Sequence, residues 1–375
     1  MPDQNKIETL VVDDSAVMRG LLTRVVESDP EIKVVSSAQN GEIAISKAKR
    51  HQPHVVVLDV EMPVMDGITA LPKILEVCPH AHVIVASTLT TKNAKVSLRA
   101  LEAGATEYLA KPSTGRQFGG AAEFKRDLIA KVKTLGRQAQ SARPKIKDTP
   151  PRTTLPPAEK KPDRPIGDMP TRPDPKISPK VIAIGSSTGG PNALRQMFEN
   201  MDPAKHWPPI LITQHMPATF TTILANNLAQ HTGFTVVEGT DGAMIQPNHV
   251  YIAPGDHHMK IRACDDESGA VIKITDDPPV NYCRPSVDPM LDSICSVYGR
   301  SVFGVILTGM GHDGRDSAKK LVEAGGILIA QDRNSSVVWG MPGAVAEAGY
   351  CTKILPIDDI GPYITQYIHG SKGAR

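Results

Sequence analysis

The sequence predicts two α/β domains, a five-stranded parallel doubly wound sheet followed by a second doubly wound sheet with a β-hairpin insertion. Three observations carry this. Short β-branched runs alternate with helix-spaced stretches, the pattern of β-α units whose sheet is parallel and covered on both faces. The alternation stops in a Pro-rich middle segment and then resumes. At 375 residues the chain exceeds the usual size of one such domain.

In the first half, strands are expected at Thr9–Val12, Ile32–Ser36, Val55–Asp59, His82–Ser87 and Thr106–Ala110. Helical spacing shows in Val17, Leu21 and Val25, after Asn40-Gly41, and over Val96–Ala103. In the second half, strands are expected at Lys180–Ile184, Ile210–Thr213, Val250–Ala253, Val302–Thr308 and Ile327–Ala330. Helices fill Asn192–Asn200, Thr219–Gln230, Ser286–Tyr298, Asp313–Ala324 and Pro342–Ala348. Between Phe234 and Thr275 the pattern is β-like, which places the hairpin insertion there.

Between Arg137 and Lys180 lie eleven prolines, and no aromatic occurs between Phe124 and Phe198. Such a segment buries too little apolar surface to fold, and its prolines favour extended backbone. Its excess of basic residues lacks interleaved aromatics for base stacking, so it reads as a linker. The division is residues 5–125, a linker over 136–178, and a second domain over 179–370.

Composition narrows the function classes. A hydrophobic share of 40% supports ordinary cores, and with aromatics at 4% those cores are aliphatic. A net charge of +2 and no basic recognition helix argue against a nucleic-acid partner. Five scattered cysteines without a C-x-x-C pair favour free thiols over a disulfide framework or zinc site. The first residues, Met1 to Lys6, hold no apolar signal core, and no apolar run reaches the length of about 18 residues that spans a bilayer. A cytoplasmic monomer is expected.

Ligands of a parallel α/β sheet gather at the carboxyl ends of its strands. There the first domain places Asp13 and Asp14, Asp59, Ser87 with Thr88, and Lys111. Three crowded carboxylates repel one another unless a cation joins them, and a hard ion that keeps waters, Mg²⁺, suits them. Asp59 is then a carboxylate nucleophile toward an anionic phosphodonor. Any one of these acids alone reads as a helix cap; their combination with a hydroxyl and a lysine does not.

In the second domain, the run Val181–Ile184 breaks into Gly185-Ser186-Ser187-Thr188-Gly189-Gly190-Pro191 and a helix start. This puts the Ser187 hydroxyl at a strand-to-helix turn, where backbone N–H groups serve either a nucleophile's target or a bound phosphate. The turn lacks the lysine of a P-loop and the spacing of a dinucleotide fingerprint, so phosphate binding loses ground. His215 follows the next strand, and Asp313 follows a later one at Gly309-Met310-Gly311-His312-Asp313-Gly314. Serine, histidine and aspartate thus meet at one sheet edge, in an order different from that of α/β-hydrolases. His257 and His258 could suggest a metal, but adjacent side chains on a β-like segment point to opposite faces, so a loop or substrate-channel role suits them; His312, in a turn, is a weaker base than His215.

Asp13-Asp14, Leu58 to Pro63 with Asp66-Gly67, Ser87 and Lys111-Pro112 resemble the receiver domain of two-component response regulators. The resemblance implies a flavodoxin-like fold and phosphorylation of Asp59 by a histidine kinase of the chemotaxis type. It also implies Mg²⁺ among Asp13, Asp14, Asp59 and the Glu61 carbonyl, with Ser87 and Lys111 as switch residues. The turns at Ser187, His215 and Asp313, with Tyr251 to Gly255, Arg284 to Asp288 and Trp339 to Gly343, resemble the catalytic domain of chemotaxis protein-glutamate methylesterases. That resemblance implies nucleophile Ser187, base His215 and orienting Asp313, with Thr188, Met310 and Gly311 near the oxyanion and substrate. His312 departs from the asparagine expected there, with Asp313 intact. The implied substrates are glutamate γ-methyl esters and glutamine amides of methyl-accepting chemotaxis receptors, without an esterase cofactor.

Overall fold

The computed structural model describes residues 6–88, 90–111, 120–142, 169–264 and 269–370. The first domain alternates β1 (Ile7–Val12), α1 (Ala16–Val26), β2 (Ile32–Ala38), α2 (Gly41–His51), β3 (Val55–Asp59) and α3 (Gly67–Val77). It continues with β4 (His82–Ser87), α4 (Thr91–Glu102), β5 (Glu107–Ala110) and α5 (Gly120–Ala142). All neighbouring strands are parallel, in the order β2-β1-β3-β4-β5.

Side chains alternate across each strand, so a central strand feeds two cores. Leu10, Val12, Val56 and Leu58 pack with Ala44, Ala70 and Leu98 of α2, α3 and α4. Ile7, Val11, Val55 and Val57 pack with Leu22 of α1 and Leu128 and Val132 of α5. Ser15, Asn40 and Asp66 cap α1, α2 and α3 by accepting from the N–H of Met18, Ile43 and Thr69.

The second domain comprises β6 (Val181–Ser186), α6 (Gly190–Glu199), β7 (Ile210–Gln214), α7 (Phe220–Thr232), β8 (Thr235–Glu238) and β9 (His249–Ile252). An antiparallel hairpin of β10 (His258–Ala263) and β11 (Ala270–Thr275) follows. Then come α8 (Val287–Tyr298), β12 (Val302–Ile306), α9 (Arg315–Glu323), β13 (Ile327–Gln331), α10 (Met341–Glu347), β14 (Lys353–Leu355) and α11 (Ile357–His369). The seven-stranded sheet is parallel throughout, in the order β14-β13-β12-β6-β7-β9-β8. The chain runs one way from β6 through β7 to β9 and β8, then returns to β12 on the other side. The crevice between β6 and β12 is therefore the topological switch point, where such sheets bind ligands.

Several boundaries differ from the sequence reading. The first domain does not end at 125, and a linker does not begin at 136, because α5 continues to Ala142. Leu135 and Ala139 are buried on that stretch, and a Cβ at Gly136 would come within 2.2 Å of Ile7. The predicted linker also overlaps packed chain at its far end. Met169 and Ile177 are buried, the Arg172 N–H donates to Cys351 O, and the Tyr367 hydroxyl accepts from the Ile177 N–H. The rest of the predicted linker, residues 143–168, lies outside the described residues. The hairpin insertion is narrower than 234–275, since β8 and β9 belong to the main sheet. No helix among the described residues is long and apolar enough to cross a membrane.

Candidate active site and phosphoacceptor pocket

In the first domain the strand ends converge as their spacing implies. Asp13, Asp14 and Asp59 each offer an oxygen within 4.8 Å of the others. Lys111 reaches across with Nζ 2.7 Å from Asp13 Oδ2 and 2.7 Å from Asp59 Oδ1. One ammonium against three carboxylates leaves net negative charge, a donor set that fits a hard divalent cation. Burial pushes the Asp59 carboxyl above its ordinary range, against the pull of Lys111. Glu61 lines the same hollow with Asp14, Asp66 and Arg99. Gly67 is obligatory here, because a Cβ would lie 2.0 Å from the Asp59 carbonyl oxygen. Ser87 is buried, with its Oγ 2.7 Å from Ser97 Oγ on α4; Thr88 instead accepts from Asn93 Nδ2 at 2.6 Å.

In the second domain Ser187 leaves β6 into a turn that only glycines permit. Gly189 has φ +77°, and a Cβ on Gly190 would come within 1.9 Å of Gln214 Oε1. Ser186 and Gln214 are register partners, so Ser187 and His215 leave adjacent strands side by side. Gln214 locks this edge. Its Oε1 accepts from Ser186 Oγ at 2.7 Å, and its Nε2 donates to the carbonyls of Ser187 and His215 at 3.0 and 3.2 Å. From the other side of the crevice, Thr308 O accepts the Ser187 N–H at 3.0 Å, bringing Gly309 against Ser187. Among the described residues, the Thr188 and Met310 N–H groups have no protein acceptor. Gly311, at φ +87°, turns the chain just beyond them.

Asp313 is buried, with Oδ2 2.7 Å from His215 Nε2. It also accepts from Asn281 Nδ2, Ser286 Oγ and the N–H groups of Val287, Asp288 and Gly314. Burial alone would raise this carboxyl, but the His215 hydrogen bond and charge, with the Val287 and Asn281 donors, hold it well below the usual range. Burial disfavours charge on the His215 ring, yet the Cys283 sulfur and the Asp313 carboxylate outweigh it and push its pKa up to about 10. An ionised Asp313 keeps a proton on Nε2 in either charge state, so the ring accepts a proton at Nδ1 only in its neutral form, the minor form at neutral pH with a pKa of about 10. The Ser187 Oγ makes no hydrogen bond to that ring among the described residues, whose side-chain neighbours are Asp313 and Cys283. Such contacts commonly tighten only when substrate binds.

Sequence reasoning missed Gln214, Asn281 and Cys283. Gln214 was legible only as a polar residue ending an apolar strand. Asn281 and Cys283 reach the site from a loop preceding the Arg284 to Asp288 match, which itself supplies Ser286 and the Val287 N–H.

The first domain packs against this crevice. Tyr108 stacks on Phe220 with ring centroids 4.6 Å apart, and Asn192 Nδ2 donates to Leu101 O of α4 at 2.9 Å. Thr134 Oγ1 on α5 lies 3.3 Å from Met310 Sδ, and the Arg126 guanidinium sits 4.6 Å above the Tyr282 ring. Val337, Val338 and Met310 join the apolar cluster of α1 and α5.

An acidic pocket on one doubly wound sheet, packed over a Ser, His and Asp crevice on another, is the arrangement of a response regulator that carries its own hydrolase domain. The chain matches the response regulator receiver domain over residues 9–122 and the CheB methylesterase domain over residues 182–364. It belongs to the CheB methylesterase family. It is 50% identical to the protein-glutamate methylesterase/protein-glutamine glutaminase of Azospirillum brasilense, covering 96% of this chain and 92% of the relative. It is also 50% identical to the protein of that name of the group 2 operon in Rhodospirillum centenum, over 95% of this chain and 92% of the relative. A Rhodospirillum rubrum protein of the same name is 48% identical, over 96% and 94%.

Proposed function

We propose that this chain hydrolyses glutamate γ-methyl esters of methyl-accepting chemotaxis receptors, and deamidates receptor glutamines, through Ser187, His215 and Asp313 under control of phosphorylation at Asp59. The activity is that of a protein-glutamate methylesterase and protein-glutamine glutaminase. The observation that carries the residue roles is the buried His215–Asp313 pair beside Ser187 at the switch point.

In its neutral form, His215 takes the Ser187 proton at Nδ1 as Oγ attacks the ester carbonyl, and Asp313 stabilises the imidazolium so formed. The Thr188 and Met310 N–H groups meet the developing oxyanion, a contribution of about 10²–10³ in rate for a well-aimed donor. The imidazolium returns its proton to the leaving oxygen and methanol departs. Water, deprotonated by the same ring, then cleaves the acyl-enzyme to glutamate and restores Ser187. With a glutamine side chain the leaving group is ammonia.

In the receiver, Asp13, Asp14 and Asp59 with the Glu61 carbonyl would hold Mg²⁺, which offsets carboxylate charge and orients phosphoryl oxygens. A histidine kinase of the chemotaxis type is the phosphodonor. Lys111 then pairs with the phosphoryl group, and Ser87 exchanges its Ser97 bond for a phosphoryl oxygen. This displaces α4, whose Leu101 carbonyl holds Asn192 of the catalytic domain. The linked domains face each other at an effective concentration of roughly millimolar, so a contact with Kd near ~0.1 mM stays closed about tenfold over open. That bias is only about 1.4 kcal/mol, within reach of the added charge of about −1.5 to −2. A cytoplasmic monomer fits this arrangement.

Methanol release from methylated receptor membranes tests the switch. Asp59→Asn is expected to keep basal activity and lose stimulation by a small-molecule phosphodonor; stimulation equal to wild type would sink the assignment. Removing residues 1–168, which leaves the packed segment 169–178 in place, is expected to raise basal activity about tenfold. Unchanged or lower activity in that truncation contradicts occlusion by the receiver.

A further inference from the structure

Asp313 has a second, half-buried carboxylate beside it. Asp288, in the first turn of α8, takes the Ser317 N–H and Oγ on Oδ1 at 2.9 and 2.6 Å. Its Oδ2 is 2.9 Å from Asn281 Nδ2, and the same nitrogen is 2.9 Å from Asp313 Oδ1. A side-chain amide has two hydrogens, so Asn281 can give one to each carboxylate. Among the described residues it is the side chain that bridges the two. Ser286 Oγ and the Val287 and Gly314 N–H groups serve Asp313 without touching the Asp288 carboxylate, and the Asp288 backbone N–H also donates to Asp313 Oδ1 at 3.3 Å.

The backbone at this point is shaped to deliver that amide. Asn281 has φ +53°, in the left-handed region where Asn is among the few non-Gly residues found routinely. Two carboxylates in contact inside a protein repel unless a donor lies between them. Burial, opposed by the Ser317 donors and reinforced by the Asp313 charge, raises the Asp288 carboxyl above its ordinary range. With no bridge, Asp288 competes for the hydrogen bonds that orient its neighbour.

We propose that Asn281 is a positioning residue for the hydrolysis: by dividing its amide between Asp288 and Asp313 it holds Asp313 in the rotamer whose Oδ2 faces His215. The proposal rests on Ser187, His215 and Asp313 being the reacting set. Asn281 touches no substrate atom in it, so its loss acts on turnover through the histidine.

The full chain, with phosphodonor, is assayed by methanol release from methylated receptor membranes. N281A is expected to lower kcat by about 30- to 100-fold with KM within about twofold, the scale of a small misplacement of a reacting group. N281A/D288N, which removes the competing charge, is expected to recover about tenfold of that loss. S286A removes a donor to Asp313 without freeing Asp288, so D288N does not rescue it. If N281A folds poorly by circular dichroism, N281S carries the same comparison with and without D288N. A kcat within threefold of wild type in N281A, or no rescue by D288N, overturns the proposal. S187A separates the two readings. An inactive S187A with an unaffected N281A refutes the positioning role alone, whereas an active S187A refutes the reacting set on which it stands.

Discussion

Replacing Ser187 by alanine is expected to lower turnover of methylated receptor by about 10⁴- to 10⁶-fold, the loss seen when a serine nucleophile is removed from such a set. The fold should not suffer. Ser187 is half-buried, and its structural bonds run through the backbone: its N–H to Thr308 O, and its carbonyl to Gln214 Nε2 and the Gly190 N–H. Alanine keeps all three. Methanol release and thermal unfolding, measured on the same preparation, check this together. Activity above about 1% of wild type with an unchanged Tm would mean that another group attacks the ester, because a residual rate from binding and oxyanion donors alone lies far below that.

Asp313→Asn is expected to be the second largest lesion, about 10³- to 10⁴-fold in kcat. It differs from the first in also destabilising the protein. Asp313 accepts from His215, Asn281, Ser286 and three backbone N–H groups, so both carboxylate oxygens already hold more than one donor. An amide turns its own N–H groups toward one or more of those donors. Breaking a buried pair of this kind costs about 3–5 kcal/mol. The catalytic loss should therefore persist at temperatures well below a lowered Tm. Wild-type kcat in a folded D313N protein would show that His215 needs no carboxylate to orient it.

Much of the architecture was legible because buried parallel strands are continuous apolar runs; Val55–Val57 and Ile182–Ile184 could be little else. The strand ends were legible for the same reason, and with them Asp59, Ser187, His215 and Asp313. Two helices escaped because each contains an internal proline, Pro72 in α3 and Pro362 in α11, which local reasoning takes as a stop. The second half of α5 escaped because its residues shade into the basic, Pro-rich segment, and only its packing on Ile7 makes it part of the first domain. Asn281 and Cys283 were invisible for a different reason. They act from a loop about 30 residues before Asp313, and no periodicity links a loop to the strand end it serves.

The contact of Thr134 with Met310 has one consequence beyond occlusion. Met310 is proposed to give its N–H to the reacting carbonyl, and its side chain is held by the receiver. Coupling between two binding events is reciprocal: what the docked receiver takes from substrate affinity, bound substrate must take from docking. A receptor segment seated in the crevice therefore favours the undocked receiver, and with it the Asp59-phosphorylated form, by the same free energy. On the proposed function, a methylated receptor is an effector as well as a substrate, raising at equilibrium the share of enzyme in the undocked form.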